Sequence, residues 1–90
     1  MKRFIIERRF PGAGSMTIDE LRAISQTSNS AVSTLGKPYV WIQSFVTGDK
    51  IFCIHEAEDA EVIKEHSACA NFPIYSIEEI KTVISPDTGK

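Results

Sequence analysis

The sequence has little of several features that would restrict its function at once. It contains two cysteines, Cys53 and Cys69, without a Cys-x-x-Cys spacing, so it predicts neither a disulfide framework nor a common zinc or thiol-redox motif. No apolar run approaches the roughly 20 residues of a membrane span, and the start MKRFIIERRF lacks the apolar stretch of a secretory signal. We therefore expect a cytoplasmic protein with reduced cysteines and no membrane partner.

A large charge excess is also missing. The formal net charge is −2 at pH 7, whereas nucleic-acid-binding domains usually carry a strong basic excess. The stretch KIFCIHEA, expected to be the third strand, lacks the glycines of the RNA-recognition signature. There is no Gly-x-Ser-x-Gly motif, no phosphate-binding glycine loop and no His-Glu-x-x-His motif. We predict no nucleic-acid partner. Because these motifs are absent, the sequence assigns no catalytic residue.

What the sequence does contain is a regular alternation of strand and helix patterns. The β-rich stretch RFIIER and a PGAG loop come first. Thr17 and Glu20 then form the capping box of a helix with a clear apolar period, and Gly36 is suited to end it. The poor helix formers in SQTSNS predict that this helix is irregular near residues 25–30.

The second half of the chain predicts a hairpin, a helix and a last strand. YVWIQSFV (Tyr39–Val46) and IFCIHEA (Ile51–Ala57) are β-rich runs that a TGDK turn joins into a hairpin. Asp59 can cap a second helix through AEVIKEHSACA. The last strand is expected within Ile77–Ile84, and the tail 85–90 is expected to be flexible.

The element order is β-α-β-β-α-β, which is the ferredoxin-like pattern. We predict one α+β domain over residues 1–90, with a four-stranded antiparallel sheet and both helices on one face. Unbroken alternation along the second strand would place Tyr39, Trp41 and Phe45 on the same side. Large apolar residues lie on both sides of the strands, so we expect the helix-free face to be covered by a second copy. Those three aromatic residues are then predicted to line a pocket or the homodimer face.

Potential metal ligands are concentrated in DKIFCIHEAEDAEVIKEH. Cys53 and His55 are two residues apart on one strand, so their side chains point to the same side. A thiolate and an imidazole suit borderline metals such as Ni²⁺, Zn²⁺ or Cu²⁺. His66 is expected at the border of the buried face of the second helix. The oxygen donors that could add to such a site are Glu7, Asp49 and Glu56. Each candidate also has a structural alternative, such as a core cysteine or a hydrogen-bonded histidine.

The stretch Trp41–Pro73 resembles a family of small single-domain bacterial proteins of unknown function. One structurally described member is a nickel-binding, nickel-responsive cytoplasmic protein. The family pattern is roughly Trp-x-x-Ser-aromatic-Val-Thr-x-Asp-Lys-x-aromatic-Cys-x-x-Glu-Ala, followed by a helix ending in His-x-x-x-x-Gly-x-Pro. The matching residues are Trp41, Ser44, Phe45, Val46, Thr47, Asp49, Lys50, Phe52, Cys53, Glu56, Ala57, His66 and Pro73. The chain departs from the pattern at Asn71, where glycine is usual, and at His55, where an aromatic residue is more common.

The resemblance implies a ferredoxin-like fold paired into a dimeric α+β barrel and, by extension, the binding of nickel. It does not assign the ligands, so the six candidates named above stay open. An alternative function is the binding or transformation of a small organic molecule. In that case a cavity between sheet and helices would be lined by Trp41, Tyr39, Phe45 and His66.

Overall fold

The computed structural model describes the whole chain, Met1–Lys90, and has the predicted order of elements. The strands are β1 (Lys2–Arg9), β2 (Tyr39–Val46), β3 (Lys50–Ala57) and β4 (Ser76–Glu79), and the helices are α1 (Ile18–Leu35) and α2 (Ala60–Ala70). The strands lie in the order β2-β3-β1-β4, and all neighbours are antiparallel. The ferredoxin-like α+β fold is confirmed. None of the helices is long and apolar enough to cross a membrane.

Helix α1 begins at the predicted capping box. The Glu20 N–H donates to Thr17 Oγ1 at 3.2 Å, and the Thr17 N–H donates to Glu20 Oε1 at 3.0 Å. Gly36 ends the helix in the left-handed region, with φ of 64°, which glycine adopts without steric cost. Both ends of α1 are therefore specified by local sequence.

The irregularity predicted near residues 25–30 is wrong, because α1 is one continuous helix. The hydroxyl of Ser25 donates to the carbonyl of Leu21 at 2.9 Å, and Thr27 makes the equivalent bond one turn back. These side chains thus bond within the helix rather than competing with it. The low helix propensity of the segment is overridden by the contact between α1 and α2, where Ser28 is buried.

Strand β2 contains a bulge that changes which residues face the helices. Its pairing with β3 passes from Trp41 to Gln43 without Ile42. An extra residue of this kind reverses the alternation of side chains beyond it. Tyr39 is buried on the helix side, whereas Phe45 lies on the opposite face and is 51% exposed. The prediction that Tyr39, Trp41 and Phe45 share one side is therefore wrong for Phe45.

The core lies between the sheet and α2. Ile6 of β1 and Ile63 of α2 are completely buried, and Phe4, Ile51 and Val62 pack around them. Full burial of such side chains contributes about 1.5–3 kcal/mol each. The register between β1 and β3 places all of these strand residues on the same side as the helices.

The face of the sheet without helices is partly apolar. Val40 and Phe45 are 41% and 51% exposed there. Charged residues border this patch, and Arg3 forms an ion pair with Glu56 at 3.0 Å. Glu7 also lies on this face and pairs with two basic side chains. We call this surface the open face.

The last strand is shorter than its predicted window, Ile77–Ile84, and begins one residue before it, at Ser76. β4 pairs with β1 only from Phe4 to Glu7, and the Ile80 N–H makes a last bond to the carbonyl of Arg3. Since β1 begins at Lys2, only one of its residues remains beyond Arg3 for the chain to pair with. Residues 81–90 are exposed and contain one 3₁₀ turn, Pro86–Gly89. Flexibility of the tail stays a prediction.

Candidate functional site

Four polar side chains meet between the sheet and the helices, and we call them the interior polar cluster. They are Arg8 on β1, Tyr39 on β2, His55 on β3 and His66 on α2. Their exposed fractions are 3%, 8%, 1% and 0%, respectively. Alternation along β1 and β3 turns Arg8 and His55 to the same side as the apolar core residues. Buried polar groups of this kind are costly unless they are paired, so each partner matters.

Tyr39 and His55 are paired by a hydrogen bond of 2.5 Å between the phenol oxygen and Nδ1. Burial raises the pKa of Tyr39 well above its ordinary value, so the phenol keeps its proton. A protonated phenol can donate to Nδ1 or accept from an Nδ1–H, so the direction of this bond follows the His55 tautomer. Burial, with the charges of His66 and Arg8 adding to it, lowers the pKa of His55 to about 3. His55 is thus a neutral imidazole at pH 7.

His66 is completely buried rather than at the border of its helix face. Its Nε2 lies 3.2 Å from the carbonyl oxygen of Ser28 and 3.3 Å from the Ser28 hydroxyl. A carbonyl can only accept, so Nε2 carries the proton and Nδ1 does not. Nδ1 is buried and has no hydrogen-bond partner. Burial lowers the pKa of His66, which favours this neutral form.

Aromatic contacts hold the two histidines in place. The Tyr39 ring stacks on His66 with centroids 4.6 Å apart and an interplanar angle of 18°. His55 and His66 lie edge to face at 5.2 Å. Such contacts restrain ring orientation. The signal that could have located His66 was the small, polar segment around Ser28, which lets α2 approach α1 closely.

Arg8 is the functional candidate that sequence reasoning missed, because it looked like one of several basic residues near the start. Its Nη1 donates to Ser67 Oγ and to the carbonyl of Pro73, both at 3.0 Å. Its guanidinium carbon lies 5.4 Å from the ring centre of Phe72. Nη2 is buried without a partner, and none of the ion pairs of the chain includes Arg8.

A cavity of about 150 Å³ lies between α1 and the sheet. Most of its wall is apolar, with Leu21 and Ile24 from α1 facing Ile51 and Trp41 from the sheet. The lining residues are Arg8, Phe10, Leu21, Ile24, Ser25, Ser28, Trp41, Ser44, Val46, Ile51, Cys53, His55 and Phe72. Of the four residues predicted to line a cavity, only Trp41 does so. Tyr39 and His66 are packed behind His55, and the bulge in β2 turns Phe45 away.

The three principal metal-ligand candidates lie on the helix side of the sheet. Cys53 and His55 share one side of β3, as predicted, and both line the cavity. His66 contacts His55 from α2. Two neutral imidazoles and a thiol are suitable donors for nickel. However, no three His, Cys, Asp or Glu side chains are close enough together to hold a metal ion.

The three carboxylate candidates lie elsewhere. Glu7 pairs with Phe52 across the sheet and so lies on the open face, on the opposite side from the cysteine and histidine of β3. Glu56 lies on the same open face, in the ion pair with Arg3. Asp49 accepts a hydrogen bond from the Gly12 N–H at 3.0 Å, which ties the loop after β1 to the hairpin turn. None of them adds an oxygen ligand to the interior donors.

Comparisons with known proteins agree with this architecture. A family model described as "Nickel responsive protein SCO4226-like" matches residues 4–80. The crystal structure of SCO4226 from Streptomyces coelicolor A3(2) matches with a TM-score of 0.77 and 19% sequence identity, covering 91% of this chain and 99% of that chain. At this identity the likeness shows the fold. A search of curated proteins gave no match. Because the family model spans most of the sequence, the resemblance is confirmed, and this chain belongs to the SCO4226-like family of nickel-responsive proteins.

Proposed function

We propose that this protein is a cytoplasmic homodimer that binds a divalent transition metal, with nickel as the first candidate. The description of its family as nickel responsive supports the proposal. The observation in this chain that carries it is the buried, unprotonated Nδ1 of His66, which no donor satisfies. An imidazole nitrogen in its neutral form is a common ligand for such metals.

His55 and Cys53 are the nearest candidates to act with His66. His55 is neutral at pH 7, and its Nε2 can take a metal when the ring proton lies on Nδ1 and donates to the Tyr39 oxygen. The positive charge of Arg8 lowers the pKa of both histidines and opposes a metal cation in the same way. We therefore expect Arg8→Met to strengthen the binding of Ni²⁺.

Titration calorimetry of tag-free protein with NiCl₂ tests this proposal. We expect saturable binding with a dissociation constant below about 100 μM, and its loss in a His55→Ala, His66→Ala double variant. Cys69→Ser is the matched control, because Cys69 is exposed and remains outside the proposed ligand set. No binding, or unchanged binding in a double variant that still folds, would contradict the proposal.

Self-association is proposed to occur through the open face. The half-exposed Phe45 and Val40 form an apolar patch that a second copy would remove from water. Sedimentation equilibrium should give a dimer for the unmodified chain and a monomer for Phe45→Lys. Val83→Lys is the control, since Val83 is equally apolar and 73% exposed but lies in the tail. Dimerisation that survives Phe45→Lys and is lost in Val83→Lys would assign the interface to the tail instead.

A second candidate function is the binding of a small organic molecule, and the cavity beneath α1 favours it. An engineered apolar cavity of about 150 Å³ in another protein binds benzene, so this volume is sufficient for a small ring. His55, not His66, is the imidazole that borders the cavity. This candidate shares His55 and Cys53 with the metal proposal, because both residues line the cavity.

A further inference from the structure

The strongest unexplained feature of the molecule is the buried charge of Arg8. A guanidinium stays protonated at any ordinary pH, so burial cannot neutralise it. Arg8 is 3% exposed, and its two hydrogen bonds go to neutral oxygens on Ser67 and Pro73. A buried charge with no counter-ion is strongly unfavourable, and buried arginines normally meet a carboxylate or phosphate. Two hydrogen bonds to neutral oxygens do not by themselves require a charged donor at this position.

Arg8 combines a place in the cavity wall with an unpaired nitrogen that solvent does not reach. Arg8 lines the cavity, and its Nη2 is the group left without a partner. Two hydrogen bonds and the ring of Phe72 hold the guanidinium in position at the cavity wall. A fixed planar guanidinium is well suited to bind a carboxylate.

The rest of the cavity determines what kind of anion fits. Its remaining wall is mainly apolar, with Leu21, Ile24 and Ile51 as its aliphatic part and Trp41 as its largest aromatic ring. No lysine and no second arginine lines it, so a single negative charge is matched and a doubly charged phosphate is not. A volume of about 150 Å³ accommodates an apolar body of about six to eight carbons.

We propose that the cavity is a binding site for a small apolar monocarboxylate, with the carboxylate on Arg8 and the hydrocarbon between α1 and the sheet. The proposal rests on the second candidate function, and it gives that function a ligand class. The negative charge of the ligand would be the counter-ion that Arg8 lacks within the chain.

The test compares benzoate with benzamide, a neutral molecule of nearly the same shape. The indole N–H of Trp41 is a suitable reporter in nitrogen-edited NMR, because the chain has a single tryptophan and this group bonds to Ser44 in the cavity wall. We expect benzoate to shift this resonance with an affinity at least about tenfold higher than that of benzamide, because a hydrogen bond to a charged group contributes more than a neutral one.

Two variants separate the contribution of the charge from that of the cavity. Arg8→Met should reduce benzoate binding to the level of benzamide, while benzamide binding persists. Ser25→Leu places a larger apolar side chain in the cavity wall and should abolish binding of both molecules. Arg8→Lys keeps the charge but loses the planar guanidinium, so it should bind benzoate with intermediate affinity.

The outcomes separate the carboxylate assignment from the existence of a binding site in the cavity. Equal affinity for benzoate and benzamide in the unmodified chain overturns the carboxylate assignment but leaves the cavity as a binding site. This comparison needs no variant, so it stands even if Arg8→Met fails to fold. No shift of the Trp41 resonance with either molecule at millimolar concentration contradicts the second candidate function, and this inference with it.

Discussion

Helices α1 and α2 cover the same face of one sheet but pack on it differently. Helix α2 buries five residues, among them Ile63 and His66, which are completely inaccessible. Helix α1 is longer, yet it buries only Ser28 and Ala31. Both of these are small, so α1 leans on α2 and leaves the cavity between itself and the strands β2 and β3.

The difference separates the closely packed part of the helix layer from the part that contains the proposed binding site. The side under α2 is filled by side chains and contains the two completely buried isoleucines of the core, Ile6 and Ile63. The side under α1 keeps unfilled volume with Arg8 in its wall, and this is the volume in which we propose that a small molecule binds. Local departures from close packing in natural proteins are expected mainly at functional sites.

The largest expected effect tests whether a side chain on α2 contributes more to the stability of the protein than a similar side chain on α1. Ile63→Ala should lower the free energy of unfolding by about 2–5 kcal/mol, because it leaves a hole in a filled region. Ile24→Ala is the matched change on α1, and it should cost less than about 1.5 kcal/mol since Ile24 already borders empty space. Urea denaturation of both variants measures the contrast, and equal losses would contradict it.

A smaller effect is expected where the chain enters α1. Gly14 lies in a 3₁₀ turn against the β2–β3 hairpin, and its N–H donates to the carbonyl of Gly48 at 2.9 Å. A β-carbon at Gly14 would lie 2.8 Å from the carbonyl oxygen of Thr47, which is backbone and cannot easily move. Gly14→Ala should therefore destabilise the protein by about 1–3 kcal/mol.

Gly48→Ala is the control for that change, because a β-carbon at Gly48 meets nothing within 4 Å. Thermal unfolding of both variants compares them. If Gly14 also positions α1 over the cavity, Gly14→Ala should alter the Trp41 resonance, whereas Gly48→Ala should not. A Gly14→Ala variant as stable as the parent chain would show that the turn relaxes without loss.

The smallest expected effect is a pH dependence from the polar cluster. Burial holds the pKa of His55 at about 3, below its ordinary value of 6.5. The unfolded chain therefore takes up a proton as the pH falls below about 6.5, whereas the folded chain does not, so stability falls with pH. For His55 alone, the loss between pH 7 and pH 5.5 is about 1.3 kcal/mol. It continues toward pH 3, and Arg8 and His66, which face this ring, act in the same direction.

His55→Phe is the variant that isolates this contribution. It removes the titrating group and retains a ring between Tyr39 and Trp41. Urea denaturation at several pH values should show a shallower dependence for His55→Phe than for the parent chain. An unchanged slope would assign the pH dependence to other residues.

The sequence predicted those parts of the fold that depend on local patterns. The capping box at Thr17, the cap at Asp59 and the β-α-β-β-α-β order each follow from residues close together in the chain, and all were found. The bulge at Ile42 was not predicted, because an extra residue in a strand of large apolar side chains gives no signal in the alternation.

The candidate site was predicted only in part, for a related reason. Cys53 and His55 were placed on one side by strand periodicity, which is local. The role of Arg8 depends on what lies opposite it in the fold, and the cavity depends on how far α1 stands from the sheet. Spacing along the chain encodes neither of these tertiary features. A basic residue among others near the start therefore gave no sign of being buried.

The bulge in β2 also affects how copies of the chain can meet. Strands β2 and β4 form the two edges of the sheet, where backbone N–H and C=O groups are free to pair with another strand. The extra residue at Ile42 breaks the regular spacing of these groups on β2, and β4 offers only four residues. A neighbouring molecule thus finds no long, regular edge to extend. The fold is protected against strand-by-strand polymerisation, although it keeps exposed aromatic surface.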